Sequence, residues 1–485
     1  MSTIYELEPK RVFYYFAELC KIPHGSGNLE QISDYLVSFA KEHQLTYRQD
    51  AALNVIMTKE ASAGYENEPG IILQGHMDMV AVSDPEANID MLMTPLQVAV
   101  DGDELYAEHT SLGGDDGIAV AMALAILEDD SIPHPHLDVV ITTNEETGMD
   151  GARDIDISTL KGTRLFNLDS EDEGHFLAGC AGGARVDHIF EVTKEHVKGT
   201  CYTFRISGLQ GGHSGAEIHK ERGNANRLMG RFLWRLQQAC DFRLTTLDGG
   251  LADNAIPRDC TAIFIVPEEA VQEGVVELVA AGFTKDIKVE YQTKDPQVTT
   301  RLESAQNVEA SCIDQATQKR FLAALVAMPN GVQAMSADVP GLVQTSLNNG
   351  VMHIDMDRVY FVTSIRSSVA SEKQALLTQI MTITSLAGGR NEIRGDYPGW
   401  AYRKESPFRD LCLNVYREMY DKEPIVEAIH AGVECGLLLE KRPDLDCISI
   451  GPDMKDIHTT GERLSISSTA RVYEYVKRVL AAKSK

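Results

Sequence analysis

The run Gly117–Leu127, GIAVAMALAIL, is apolar on every face of a helix. It falls well short of the roughly 20 residues that span a bilayer, so its place is inside a globular core. A helix without a polar face needs cover on all sides, which a sheet beneath it and further helices beside it provide. The neighbouring sequence supplies that sheet. Short β-rich runs at 54–58, 70–73, 137–143 and 165–168 alternate with helical periodicity at 8–20 and 30–43. Strands alternating with helices imply a mainly parallel sheet covered on both faces.

The texture changes near Gly182-Gly183. From about 185 to 395, strands such as CYTFRISGL and VMHIDMDRVYFVTSIRSS combine with helices at 225–238 and 371–384, as in an α+β unit. The segment GGRNEIRGDYPGW, 388–400, reads as its closing loop. After it the first texture resumes, with helices at 407–420, near 434–441 and at 467–482, and a strand at 447–450. The expected fold is therefore α/β. Residues 1–184 and 396–485 form a discontinuous catalytic domain, and residues 185–395 form an inserted α+β lid large enough for two related halves. A chain of 485 residues has room for both, since a domain typically takes about 100–200.

Charge narrows the partners. Lys and Arg total 45 against 72 Asp and Glu, a net charge of −27, which repels phosphate backbones and anionic lipid. Neither nucleic acid nor a membrane is expected. The nine cysteines lack metal-type or paired spacing and read as reduced buried thiols. The opening MSTIYELEPKRVFYYFAELCKI has no apolar h-region or small-residue cleavage site, so a cytoplasmic location is expected.

Part of the excess acid stands where it can hold cations. The strand at 70–73 runs into Gly75-His76-Met77-Asp78, that at 137–143 into Asn144-Glu145-Glu146, that at 165–168 into Asp169, and that at 447–450 leads through a loop to His458. Gly114-Asp115-Asp116 opens the buried helix. Beyond the carboxyl ends of parallel strands such residues converge on one crevice. Each string alone has a bland reading as a cap, a turn or a bonded pair. Together, two imidazoles and several carboxylates suit zinc, manganese or cobalt better than calcium or magnesium. A serine-nucleophile reading fails, because GGHSGA has Ala216 where the elbow motif requires glycine. Cys435 with His430 is only a local pair.

These residues resemble the co-catalytic di-zinc peptidase and aminoacylase group, and within it the aminoacyl-histidine dipeptidases of the peptidase D or Xaa-His dipeptidase type. The matching strings are IPHGSGN, GHMDMV, TTNEETGMDGA, NLDSEDEG, GLQGGHSGAEIH, DNAIPR, YPGW and HAGVECG, spread over nearly the whole chain. The resemblance implies that His76, Asp115 and Asp169 hold one metal, and that His458, Asp115 and Glu146 hold a second, with Asp115 bridging. It implies Zn2+ first, with Co2+ or Mn2+ as alternatives, and a cis peptide at Asp115–Asp116. Asp78 would bond the far nitrogen of His76, and Glu145 would be the general base for a bridging metal-bound hydroxide.

In the lid, His213 would donate to the carbonyl oxygen, Arg366 would clamp the terminal carboxylate, and Asn254 would grip substrate. His430 and Glu434 of HAGVECG are further substrate-binding candidates, while the other ten histidines keep structural readings. The implied activity is metal-dependent hydrolysis of unblocked dipeptides, with N-acyl amino acid deacylation or carboxypeptidase action as the alternative. The partner is a small peptide. A homodimer is allowed, and a lid about twice the length of the short-lidded relatives would let His213 act within its own chain.

Overall fold

The computed structural model describes residues 3–270 and 274–483. The chain forms two compact units, one of Met1–Cys180, Trp400–Ala428 and Val433–Lys485, the other of Ala181–Gly399 and Ile429–Gly432. No helix among the described residues is long and apolar enough to cross a membrane.

The first unit is built on an eight-stranded sheet. Its centre is four parallel strands in the order Leu137–Thr142, Ile71–His76, Arg164–Asn167 and Asp446–Ser449. Every residue of the first two is buried, which is why they read as continuous apolar runs. Parallel order ends there. Val55–Lys59 and Thr46–Gln49 join antiparallel at one side, and His175–Cys180 joins antiparallel at the other, with Ile425–Ile429 beyond it. The helix Gly114–Glu128 is buried from Gly114 through Leu127 and packs on strand Ile71–His76 and on helix Lys10–Leu19. Each large aliphatic side chain it hides contributes roughly 1.5–3 kcal/mol. Pro407–Tyr420 starts where the sequence places it: Ser406 Oγ accepts the Arg409 N–H at 3.1 Å, and proline occupies the first turn, where its missing donor is harmless.

The second unit carries a nine-stranded sheet in which eight strands form two βαββαβ halves and the ninth, Gly331–Met335, pairs beside Val343–Ile354. The first half runs Lys194–Ser207, helix Ala225–Ala239, Arg243–Gly249, Cys260–Pro267, helix Val275–Glu290 and Thr299–Ile313. The second runs Gly182–Glu191, helix Gln315–Ala327, Val343–Ile354, Arg358–Ser367, helix Ala370–Leu386 and Arg390–Tyr397. With strands numbered within each half, the sheet reads 4-1-3-2 and then 2-3-1-4, an order symmetric about the seam. There Asp248 pairs with His353 and Gly249 with Met352. Buried amides reinforce the seam, with Asn224 Nδ2 donating to Asn348 Oδ1 at 3.2 Å and to the Asn349 carbonyl at 3.0 Å.

The segment expected as a closing loop is not one. Arg390–Tyr397 is an edge strand paired with Gly182–Glu191, from Arg390 opposite Ile189 to Tyr397 opposite Gly183. With one neighbour and mostly exposed side chains, it carries charges instead of an apolar alternation, as edge strands do. Arg394 pairs with Asp187 across the ladder at 2.7 Å.

One histidine given a structural reading makes a testable contribution. His188 is fully buried, with Nδ1 2.7 Å from Thr384 Oγ1, Nε2 2.9 Å from Thr363 Oγ1, and its ring stacked on Phe361. Burial pushes its pKa down to about 3. Between that value and the ordinary one near 6.5, the unfolded chain binds a proton that the folded chain refuses, so stability falls as pH drops. From pH 7 to 5 this amounts to about 2 kcal/mol. Urea unfolding of His188→Gln is expected to lose less stability than wild type over that interval by about this amount; equal losses would show that His188 does not carry it.

Candidate metal centre

Because the four central strands run in one direction, the residues that follow them gather at one end of the sheet. His76 is the last residue of its strand, Glu145 and Glu146 open the short helix Glu145–Gly148 after Leu137–Thr142, and Asp169 lies two residues beyond Asn167. His458 sits in the loop between strands Met454–Lys455 and Arg463–Ser465. Asp115 stands at the start of the buried helix, and its peptide bond to Asp116 is cis.

The side chains meet as follows. His76 Nε2 is 3.1 Å from Asp115 Oδ1 and 3.8 Å from Asp169 Oδ1. His458 Nε2 is 3.1 Å from Asp115 Oδ2 and 2.9 Å from Glu146 Oε1. One carboxylate, that of Asp115, therefore faces both imidazoles. Potential ligand atoms lie within 4.8 Å of one another in three groups: His76, Asp116 and Asp169; His76, Glu145 and Glu146; and Asp115, Glu146 and His458. His76 is buried at 1% exposure and the Glu146 side chain at 6%, while His458 is open to solvent with 42% of its side chain exposed.

Five carboxylates and two imidazoles share this space, and among the described residues none of these carboxylates pairs with lysine or arginine. Like charges at such separation push ionisation apart. Burial works upward on Asp115, but hydrogen bonds from His458 and His76 win and carry it below the usual carboxylate range. Burial holds Asp169 and Asp116 far above it, and lifts Glu145 to about 8, with Glu434, Glu146 and Asp115 adding to the rise. Glu146 Oε1 is buried without a properly directed hydrogen-bond donor. The donor set, carboxylate oxygens and imidazole nitrogens gathered around the shared carboxylate of Asp115, fits two divalent cations.

Supports surround the cluster. Asp78 was expected to place its carboxylate on His76 Nδ1, yet that nitrogen lies 2.9 Å from the Asp78 backbone carbonyl and 3.6 Å from the carboxylate. The carbonyl takes the Nδ1 proton and leaves Nε2 free to act as a ligand. The Asp78 carboxylate instead accepts the N–H groups of Glu145 at 3.1 Å and Glu146 at 3.4 Å, orienting both glutamates, and Ser26 Oγ donates to it at 2.8 Å. Asp116 Oδ2 accepts the His76 N–H at 3.1 Å. One layer below, Asn167 Nδ2 donates to Gln74 Oε1 at 2.6 Å, while Gln74 Nε2 and Thr142 Oγ1 donate to Glu434 Oε2 at 2.5 and 2.6 Å. Glu434 is 0% exposed.

The second unit gathers the remaining candidates by itself. Gly212-His213 pairs with Ala255-Ile256, and the Ser214 N–H donates to the Asn254 carbonyl at 2.8 Å, so His213 and exposed Asn254 are tied together. Ala216 N–H donates to His213 Nδ1 at 3.1 Å, which leaves the proton of a neutral ring on Nε2. Arg366, on strand Arg358–Ser367 of the nine-stranded sheet, approaches the same spot. A Cβ added at Gly215 would stand 2.6 Å from the His430 carbonyl, 3.1 Å from the His213 ring and 3.2 Å from the Arg366 guanidinium. Ser346 Oγ and His430 Nε2 are 2.7 Å apart, and burial beside Arg366 lowers His430 to about 3. Arg366 Nε, His430 Nδ1 and Ser214 Oγ are buried without partners, an arrangement suited to receive an anion.

The chain is 36% identical over 482 residues to the cytosol non-specific dipeptidase of Escherichia coli, a match covering 99% of each. It belongs to that dipeptidase family. The crystal structure of aminoacylhistidine dipeptidase from Vibrio alginolyticus superimposes with a TM-score of 0.92 at 36% identity, covering 99% of this chain and 98% of that one. Aminopeptidase PepT of Bacillus cereus shares the fold at a TM-score of 0.56 and 14% identity, covering 98% of each chain. Residues 204–291, within the first half of the second unit, match the peptidase dimerisation domain.

His76, Glu146 and Asp169 lie in the matching strings, and Asp115 and His458 outside them. Of the supports, Asp78 was expected, while Ser26, Thr142 and Asn167 lie in matching strings without having drawn a role, and Asp116 stands beside Asp115. Gln74, in the apolar strand that ends at His76, is a buried polar residue, and that is the signal that could have found it.

Proposed function

We propose that this dipeptidase-family chain hydrolyses unblocked dipeptides, Xaa-His among them, with two divalent cations, Zn2+ first. The observation that carries the reading is the cluster of two imidazoles and five carboxylates in which one carboxylate, that of Asp115, faces both imidazoles. His76, Asp115 and Asp169 would hold one cation, and His458, Asp115 and Glu146 the other. When bound, the cations acidify an attacking water and polarise the scissile carbonyl.

Glu145 takes the water's proton on its carboxylate and passes it to the departing amine nitrogen. Asp78 keeps Glu145 and Glu146 at their posts through two backbone N–H groups. In the second unit, His213 donates from Nε2 to the carbonyl oxygen as charge develops, and Arg366 clamps the terminal carboxylate with His430 Nδ1 and Asn254 beside it. Glu434, without exposed surface, serves the centre from beneath instead of touching substrate. Catalysis thus belongs to the first unit and substrate gripping to the second, His430 included. His213 and Arg366 sit side by side in one chain, and we take His213 to act within its own chain and any homodimer to be structural. The name of the Escherichia coli relative supports a cytoplasmic location.

The test is the initial rate of release of the C-terminal residue from Ala-His, β-Ala-His, Gly-Leu, a tripeptide and N-acetyl-His, zinc-loaded and chelated. Hydrolysis of the free dipeptides, abolished by chelation, is expected. Turnover of N-acetyl-His with the dipeptides untouched would move the chain to the deacylases.

A further inference from the structure

We propose that Glu462 is a positioning residue that locks the loop carrying His458 to the loop carrying Asp115, two candidate ligands 343 positions apart in the chain. The inference rests on the metal-centre reading above and adds a residue to it.

Glu462 is 3% exposed, and among the described residues no lysine, arginine or histidine bonds to it. Its charge is answered by three consecutive backbone donors: Oε2 accepts Leu112 N–H at 2.7 Å and Gly113 N–H at 3.2 Å, and Oε1 accepts Gly114 N–H at 2.8 Å. Gly113 has φ 69°, a left-handed turn that lets successive N–H groups face one point and form an anion nest. The nest lies just before Asp115 and Asp116, whose backbone is non-helical, so its three N–H groups have no place in the helix that follows and are free to point at the carboxylate. The residue after Gly114 is Asp115, so the grip ends one peptide from the carboxylate that faces both imidazoles.

The other end is equally firm. Glu462 N–H donates to the Thr459 carbonyl at 3.3 Å, Thr459 Oγ1 donates to the Asp456 carbonyl at 2.6 Å, and Gly461 N–H donates to Thr459 Oγ1 at 3.0 Å. Asp456–Glu462 is thus a tied loop with His458 inside it. Its stem is pinned where Met454–Lys455 pairs with Arg463–Ser465, which in turn pairs with Glu104–Ala107. No strand pairing joins 456–462 to 112–115 among the described residues; besides the contact between the candidate ligands themselves, His458 Nε2 to Asp115 Oδ2, the Glu462 carboxylate ties one loop to the backbone of the other. Its loss allows the His458 and Asp115 ligands to drift apart, and supports of this kind typically change metal affinity about 10- to 100-fold.

The experiment measures Zn2+ affinity by competition with a chromophoric chelator, on metal-stripped wild type, Glu462→Gln and Glu462→Asp, with melting of the metal-free forms and dipeptide kinetics alongside. Glu462→Gln turns an amide N–H2 toward backbone donors and is expected to weaken zinc roughly 10- to 100-fold, with kcat falling, KM little changed and excess zinc restoring part of the rate. Glu462→Asp, which keeps the charge, should recover part of the affinity. Unchanged zinc affinity and kcat in the folded variants, with only the metal-free melting temperature lowered, would overturn the proposal. Should Glu462→Gln not fold, Glu462→Asp is judged by the same affinity criterion. Affinity is read without substrate, so wild type that binds zinc but cleaves no dipeptide removes the function proposed above and leaves this one standing.

Discussion

Glu145→Gln is expected to keep both metals and lose about a thousand-fold in kcat, inside the hundred- to ten-thousand-fold range of positioned proton transfer. The substitution preserves size. Its backbone N–H still reaches Asp78, as Glu145 does at 3.1 Å, so Glu146 stays in position for the metal. What disappears is the oxygen that accepts a proton, since an amide is not basic at working pH. Metal content by elemental analysis and kcat on a free dipeptide check this together. Near-normal kcat with metals retained would remove the general-base assignment, and loss of metal would recast Glu145 as a ligand.

Asp115→Ala is expected to abolish turnover by a different route, through loss of bound metal that excess zinc does not reverse. Both oxygens of Asp115 are committed, one 3.1 Å from His76 Nε2 and the other 3.1 Å from His458 Nε2, so one truncation takes a ligand from each candidate site. In the metal-free protein the change also takes a hydrogen-bond partner from both imidazoles, so melting of the metal-stripped forms is measured alongside. The contrast lies in the response to zinc: mass action raises the melting temperature of wild type as zinc is added, and the variant should show little of that rise. A variant that binds two zinc ions per chain would show that Asp115 does not bridge.

Much of this site was legible beforehand because its chemistry is local. His76-Met77-Asp78 and Glu145-Glu146 fall within a few residues after an apolar run, where side-chain type and strand end coincide, and Asp115-Asp116 falls just before one. The helix Pro407–Tyr420 was likewise readable from Ser406 and Pro407. The supports were not, because their partners are remote. Glu434 meets Gln74 360 positions away, and Glu462 meets backbone N–H groups that have no side-chain signature. The charged edge strand Arg390–Tyr397 was misread as a loop for a related reason: a strand with one neighbour has little apolar surface to hide, so the period-two alternation is missing.

By itself, then, the amino-acid order determined the layered α/β unit, its α+β insertion and the residue types gathered at the strand ends, since periodicity and burial act over a few neighbouring positions. Only the tertiary structure decided that parallel order stops at four strands, that the insertion is a pair of halves meeting at Asp248–His353, and which oxygen faces which imidazole. These depend on pairings between segments tens to hundreds of residues apart. Local propensity carries no record of such pairings, and they take form only when packing and buried hydrogen bonds are satisfied together.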